Sequence, residues 1–224
     1  MSMFPRVMSV RRAYEARHDE AMQHTTDDAS TSPAASGASA LPTTPGDGYG
    51  LRPVGAEDAL AVLGAFRSAP DMARQGGVRT LEQAHEQVAW LLAPGRRATA
   101  IVNAEDRLVG LVAITVDEEN RSGWFFYWLR AEHRGRGLAS RAAATVADQA
   151  LTPTAGGGWG LERLELGHRV NNPASAAVAR AAGFVDEGVE RGKFLIDGER
   201  LDVRICGRLR SDPWPALPGL PWRP

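Results

Sequence analysis

Residues 98–129 hold three apolar runs in close succession: ATAIVN, LVGLVAITV and GWFFYWL. The first two flank the tight turn Ala104-Glu105-Asp106-Arg107 and so form an antiparallel hairpin. The third reads as a strand from its aromatic content. Three strands in a row are incompatible with a chain of βαβ repeats, and the flanking segments complete the pattern. Upstream, YGLRPV is a short strand, and AEDALAVLGAF puts Ala59, Leu60, Leu63 and Phe66 on one helical face. Thr80-Leu81-Glu82-Gln83 is a capping box opening a second helix with Ala84, Val88 and Leu91 along one side. Downstream come a helix with Ala139, Ala143, Val146 and Ala150 inward, then the strand RLELGHRV. NPASAAVARAAG follows as a helix with Asn172 as N-cap, Pro173 in the first turn and Gly183 as its stop. KFLI, the turn Asp197-Gly198 and RLDVRICGRL close the pattern as another hairpin. The order predicts an α/β fold with a mixed sheet.

The two ends differ from this body. Residues 24–49 are rich in Ser, Thr, Ala, Pro and Gly and nearly devoid of large apolar groups, so burial cannot offset their ordering entropy. The expected division is a flexible extension over 1–48, whose first 23 residues can form a short helix, one domain over 49–211, and a tail over 212–224. In that tail, DPWPALPGLPWRP, proline breaks regular structure while Trp214 and Trp222 pin the segment to the body. A net charge of -1 argues against a general nucleic-acid binder. The single Cys206 allows no internal disulfide and points to a reducing compartment. No apolar run approaches a membrane span, and the opening residues, interrupted by Arg6, Arg11 and Arg12, lack a signal-peptide core. A cytoplasmic protein without nucleic-acid or membrane partners is expected. His18, His24, His85 and His133 are scattered, so no metal site is expected.

The segment that carries chemistry is EHRGRGLAS, residues 132–140, between the aromatic strand and the alanine-rich helix. The first N–H groups of a helix lack internal acceptors and its dipole is positive there, which suits a phosphate. Gly135 and Gly137 remove Cβ atoms that would hold an anion off the backbone, and Arg130, Arg134, Arg136 and Arg141 lie near in sequence to neutralise it. The same residues can equally make a plain turn beside a solvated basic face. No Gly-Lys-Ser/Thr is present, which excludes a Walker loop. A Rossmann site fails as well, because the loop follows several strands and the next strand ends in Arg169-Val170 rather than an acid.

The loop resembles the acetyl-CoA loop of the GNAT N-acetyltransferase superfamily, Gln/Arg-x-x-Gly-x-Gly/Ala, through Arg134, Gly137 and Ala139. NNPASAAVARAAGF resembles that family's Asn-x-x-Ser…Gly-Phe segment through Asn172, Ser175, Gly183 and Phe184. LRPVGAEDA, YWL and DGERLDV look like its RimJ/RimL-type branch. The resemblance covers about residues 49–211. It implies a mostly antiparallel sheet of six to seven strands with flanking helices and a splayed central strand pair. It implies acetyl-CoA as co-substrate, with the backbone of RGRGLA, Arg134 to Ala139 and so including Gly135, Arg136 and Leu138, on the pyrophosphate. Backbone around Trp128, Leu129 and Arg130 would pair with the pantetheine arm, and Asn172 would steady it.

The implied reaction is direct acetyl transfer to a primary amine, which needs a base for the amine, a donor for the oxyanion and an acid for the departing thiolate. Ser175 matches the proposed acid. The resemblance departs at the base: GWFFYWL has no glutamate, and the acid of RimL-like enzymes aligns with Phe194. His168 and Glu165, on opposite faces of RLELGHRV, are the local candidates, with a water chain to bulk as a third route. The acceptor is expected to be a protein N-terminal amine, or alternatively a small amine such as an antibiotic or metabolite, in a groove between residues 56–92 and the loop at 197–200. A third reading is a non-catalytic acetyl-CoA-binding module. A homodimer through the closing hairpin and the Trp-Pro tail is also compatible with the resemblance.

Overall fold

The protein is described here by a computed structural model covering residues 48–196 and 198–224. The N-terminal extension before Gly48, and Asp197 of the second hairpin turn, lie outside the described residues. Seven strands form one sheet: β1 (Gly50–Pro53), β2 (Arg96–Val102), β3 (Leu108–Asp117), β4 (Ser122–Leu129), β5 (Arg163–Arg169), β6 (Val185–Ile196) and β7 (Glu199–Leu209). Their spatial order is β1-β2-β3-β4-β5-β7-β6. Only β4 and β5 pair in parallel, because a helix rather than a turn connects them; every other neighbouring pair is antiparallel.

Four α-helices cover the sheet: α1 (Ala59–Phe66), α2 (Leu81–Leu92), α3 (Leu138–Leu151) and α4 (Pro173–Ala181). One core lies beneath α3 and α4, where Phe125 and Leu129 of β4 and Leu164 and Leu166 of β5 meet Leu138, Ala143, Val146 and Ala179. The other lies beneath α1 and α2, where Trp128 meets Val62, Leu63, Phe66 and Val88. Strand alternation therefore sends Phe125, Tyr127 and Leu129 to one face, and Trp124, Phe126 and Trp128 to the other.

Local signals in the sequence are realised in the caps. Thr80 Oγ1 accepts from Gln83 N at 3.2 Å and Gln83 Oε1 accepts from Thr80 N at 3.2 Å, the reciprocal box. Asn172 Oδ1 accepts from Ser175 N at 3.1 Å, and Gly183 has φ +80°. One expectation is corrected. Leu60 is 69% exposed, and the buried stripe of α1 is Ala59, Val62, Leu63 and Phe66. Those four follow the i, i+3, i+4, i+7 spacing of one helical face, whereas Leu60 stands a third of a turn off it.

The tail is held to the body. Leu51 N donates to Pro221 O at 2.8 Å and Arg223 N to Leu51 O at 2.7 Å, so the tail extends the sheet beside β1. Trp222 meets Trp159 edge-on with centroids 6.5 Å apart, Trp214 lies under Arg208 at 5.6 Å, and Leu220 is buried in the α3-side core.

Candidate active site

β4 and β5 pair only at Ser122 with Arg163, Gly123 with Leu164 and Trp124 with Glu165. Beyond that point the two strands part, while β4 stays paired with β3 to Leu129 and β5 stays paired with β7 to Arg169. Arg130 N donates to Val109 O at 2.9 Å, which turns the backbone polar groups of Arg130 and Trp128 towards β3. By alternation, those of Phe125, Tyr127 and Leu129 face the gap. Of Trp128, Leu129 and Arg130, only Leu129 therefore offers an N–H there. Its carbonyl already accepts from Arg134 Nε at 3.1 Å.

A cavity of about 440 Å³ opens at this splay. Its lining brings together Tyr127 and Trp128 of β4, His168 and Arg169 of β5, and Asn172 and Ser175 at the start of α4. The α2 side contributes Gln87 and Trp90, and β6 contributes Lys193 to Ile196. Arg74, Gln75, Gln87 and Trp90 from residues 56–92, and Arg200 from the segment 197–200, are among its lining residues. The position aligned with an acid in RimL-like enzymes, Phe194, also lies on this lining.

Within the cavity, Tyr127 OH and Ser175 Oγ are 2.7 Å apart. Ser175 is placed by the Asn172 cap, since a first-turn residue of α4 projects back over β4 and β5. Burial pushes the Tyr127 phenol up to about 12, opposed by its hydrogen bond with Ser175. Tyr127 thus stays protonated over the physiological range and is a donor. Sequence reasoning missed it, because a tyrosine in an aromatic strand looks like packing. The one available signal was its place in YWL, immediately before the loop.

His168 is 6% exposed and its Nδ1 lies 3.1 Å from the Arg169 carbonyl. A carbonyl oxygen only accepts, so this contact places a ring hydrogen on Nδ1, and in the neutral ring the lone pair is then on Nε2. Glu165 is placed differently. Its carboxylate lies 3.0 Å from Arg163 Nε, Arg163 also holds Glu187 at 2.5 Å, and Glu165 is absent from the cavity lining. The strand pattern put it on the face opposite His168, where a basic neighbour two residues away on the same face captures it.

The glycine loop lies past the end of β4. Gly135 has φ +77° and Gly137, the N-cap of α3, has φ +70°; both are in the left-handed region where glycine is unstrained. A Cβ at either would meet no atom within 4 Å, so nothing among the described residues fills the space in front of them. Among the described residues no side chain caps α3, which leaves the N–H groups of its first turn, Leu138 and Ala139 among them, for an anion. The four arginines are not a uniform cluster. Arg134 pairs with Asp71 at 2.7 Å, Arg130 with Glu132 at 2.6 Å, and Arg141 donates to Pro218 O and Gly219 O. Arg136 makes one long bond, 3.3 Å, to Tyr49 OH. Proximity in sequence did not reveal these partners, because Asp71 and the tail come from elsewhere in the chain. Arg134 acts as a brace, tying the loop to the end of β4 and to the turn before α2.

An uncapped helix behind a glycine loop, a half-open parallel strand pair and a serine on the next helix cap are the features of one fold. A model of the GNAT acetyltransferase domain matches residues 49–185. The chain belongs to the GNAT acetyltransferase family. Acetyltransferases of this family use acetyl-CoA, and the open loop and the gap fit such a molecule. Ribosomal-protein-serine acetyltransferase of Escherichia coli K12 is 33% identical over 107 residues, 47% of this chain and 56% of that protein. Spermidine N(1)-acetyltransferase of Vibrio cholerae is 29% identical over 116 residues, 51% of this chain and 64% of that protein. The chain thus spans a little over half the length of the curated relatives it matches. Among solved structures, RimL, a ribosomal L7/L12 alpha-N-protein acetyltransferase in complex with coenzyme A, aligns with TM-score 0.63 at 19% identity. That alignment covers 75% of this chain and 97% of the other, and the likeness is one of fold. No helix among the described residues is long and apolar enough to cross a membrane.

Proposed function

We propose that this GNAT domain transfers acetyl from acetyl-CoA directly to the N-terminal amine of a protein. The observation that carries the catalytic part is the Tyr127–Ser175 hydroxyl pair, set in the cavity where β4 and β5 part. Acetyl-CoA supplies an activated thioester carbonyl. The Leu129 N–H, facing the gap, donates to the oxygen on which negative charge develops. His168, through Nε2, removes the proton that a neutral-pH amine carries. Tyr127, held by Ser175, donates a hydrogen bond to the departing sulfur, and the second amine proton, shed by nitrogen as the C–N bond forms and the C–S bond breaks, ends on that sulfur as the CoA thiol. A phenol near 12 is a weaker acid than a thiol, so this contact stabilises the thiolate by hydrogen bonding rather than by protonating it outright. Ser175 orients the phenol, and Asn172 orients Ser175 through the cap.

A protein N-terminus is favoured as acceptor by the relative that acts on a ribosomal protein. The spermidine acetyltransferase relative makes a polyamine the competing acceptor. Thiol release from acetyl-CoA, measured with free N-terminal peptides and with polyamines, tests the reading. Peptide-dependent release, with the added acetyl on the α-amine by mass spectrometry, is the expected result. Release with polyamines alone, or none with any acceptor while acetyl-CoA still binds, would overturn it.

A further inference from the structure

The charged residues that line the cavity are of one sign: Arg74, Arg169, Lys193 and Arg200, with no Asp or Glu among the described residues. Two of these cations are held within the protein. Lys193 pairs with Glu190 at 3.0 Å, and Arg200 Nη1 donates to Gly192 O at 3.1 Å. Arg74 ends the 3-10 turn Pro70–Arg74, and Arg169 ends β5 on the face turned towards that turn. Neither guanidinium has a carboxylate partner among the described residues. The nearest acid in sequence, Asp71, is engaged by Arg134. Burial pushes the Arg169 guanidinium down and the charge of Arg74 pushes the same way, with Asp71 opposing both. Trp90 adds a third donor, since its Nε1 is buried without a hydrogen-bond partner among the described residues. All three are donors. Two like charges brought together beside an unpaired N–H are an unfavourable arrangement in an empty cavity, and a favourable one around an anion.

We propose that this wall reads a carboxylate close to the reacting amine, so that the acceptor is a protein N-terminus followed immediately by acidic residues, and polycations are rejected. The proposal rests on the reading above and names its substrate class. In an extended acceptor whose amine lies at His168, beside the Tyr127–Ser175 pair, the next side chains run out past Arg169, Arg74 and Trp90 along this wall. A polyamine entering the same way would set its second ammonium against two guanidinium groups, which Coulomb repulsion disfavours.

The test uses the full chain and three peptides alike except at the second and third positions: Ser-Asp-Asp, Ser-Ala-Ala and Ser-Lys-Lys, with spermidine as a fourth acceptor. Rates should fall in the order Asp, Ala, Lys, with roughly a tenfold preference in kcat/KM for Asp over Lys, the scale of one partly desolvated charge contact. Arg169→Glu and Arg74→Glu should each invert the order while leaving the KM for acetyl-CoA in place, and Arg169→Lys should keep it. Equal rates on all three peptides would overturn the carboxylate proposal and leave N-terminal acetylation standing. A raised KM for acetyl-CoA with unchanged peptide order would also overturn it, assigning the arginines to the co-substrate. Turnover of spermidine without any peptide would overturn both readings. If no acceptor turns over, calorimetric titration of the chain with CoA and each peptide decides: tighter binding of Ser-Asp-Asp supports the proposal, and equal affinity overturns it.

Discussion

Tyr127 shows how a residue's role depends on its surroundings rather than its type. Its phenol is raised because the buried site resists the charged form, so native structure favours the protonated ring. A raised folded-state value means this contribution is fully present below the unfolded tyrosine range and lost as pH climbs from about 10 towards about 12. Tyr127 should therefore give a late step in an alkaline absorbance titration, and Tyr127→Phe should remove that step. A titration unchanged by Tyr127→Phe at its alkaline end would contradict the placement. The two base candidates also separate here. His168→Ala should lower kcat, whereas Glu165→Gln, which loosens a half-exposed ion pair with Arg163, should change stability by no more than about 1 kcal/mol and leave kcat in place. Initial rates at saturating acetyl-CoA distinguish them. Asn172 was legible as an N-cap, whereas Ser175 was singled out through the family resemblance, since the cap accepts from its backbone N–H and sets only its position. Tyr127 was not legible, since its partner lies on another element.

At the level of elements, the loop works through geometry that only its backbone supplies. Gly137 has a positive φ and caps α3, so Gly137→Val forces a branched side chain into the left-handed region at a cost of ~1–2 kcal/mol. It also places atoms in the open space before the uncapped helix. Calorimetry should show CoA affinity falling by more than tenfold with a modest drop in Tm; unchanged affinity would remove the loop from the binding site. Helix starts, hairpins and the strand–loop–helix order could be read from spacing and caps. The splay could not: three paired positions out of two ordinary-looking strands leave no periodic trace, and the expectation came from family resemblance. The partners of Arg134 and Arg141 were hidden for a related reason, as both are set by tertiary contacts.

For the whole molecule, the tail closes one side of the sheet. β1 is only four residues long, and its outer edge is paired by Pro221 and Arg223 rather than left open. Leu220 sits in the same core as α3, with its N–H donating to Thr145 Oγ1 at 3.0 Å. Leu220→Ala should cost about 2–5 kcal/mol, as for other fully buried leucines, and urea titration would show it. A loss below about 0.5 kcal/mol would mean the tail is not part of the folded core. The tail also engages Arg141 of α3, which donates to Pro218 O and Gly219 O. The sequence marked Trp214 and Trp222 as anchors, but nothing in it pointed to Leu220 or to pairing with β1.

The most direct test of the site as a whole is the pair of variants Tyr127→Phe and Ser175→Ala, with turnover and CoA affinity measured on the same preparations. The structure predicts kcat reduced by roughly 10²-fold or more in Tyr127→Phe and less in Ser175→Ala, with CoA affinity close to that of the unmodified protein in both. Unchanged turnover in Tyr127→Phe would contradict the assignment of the hydroxyl pair to the departing thiolate.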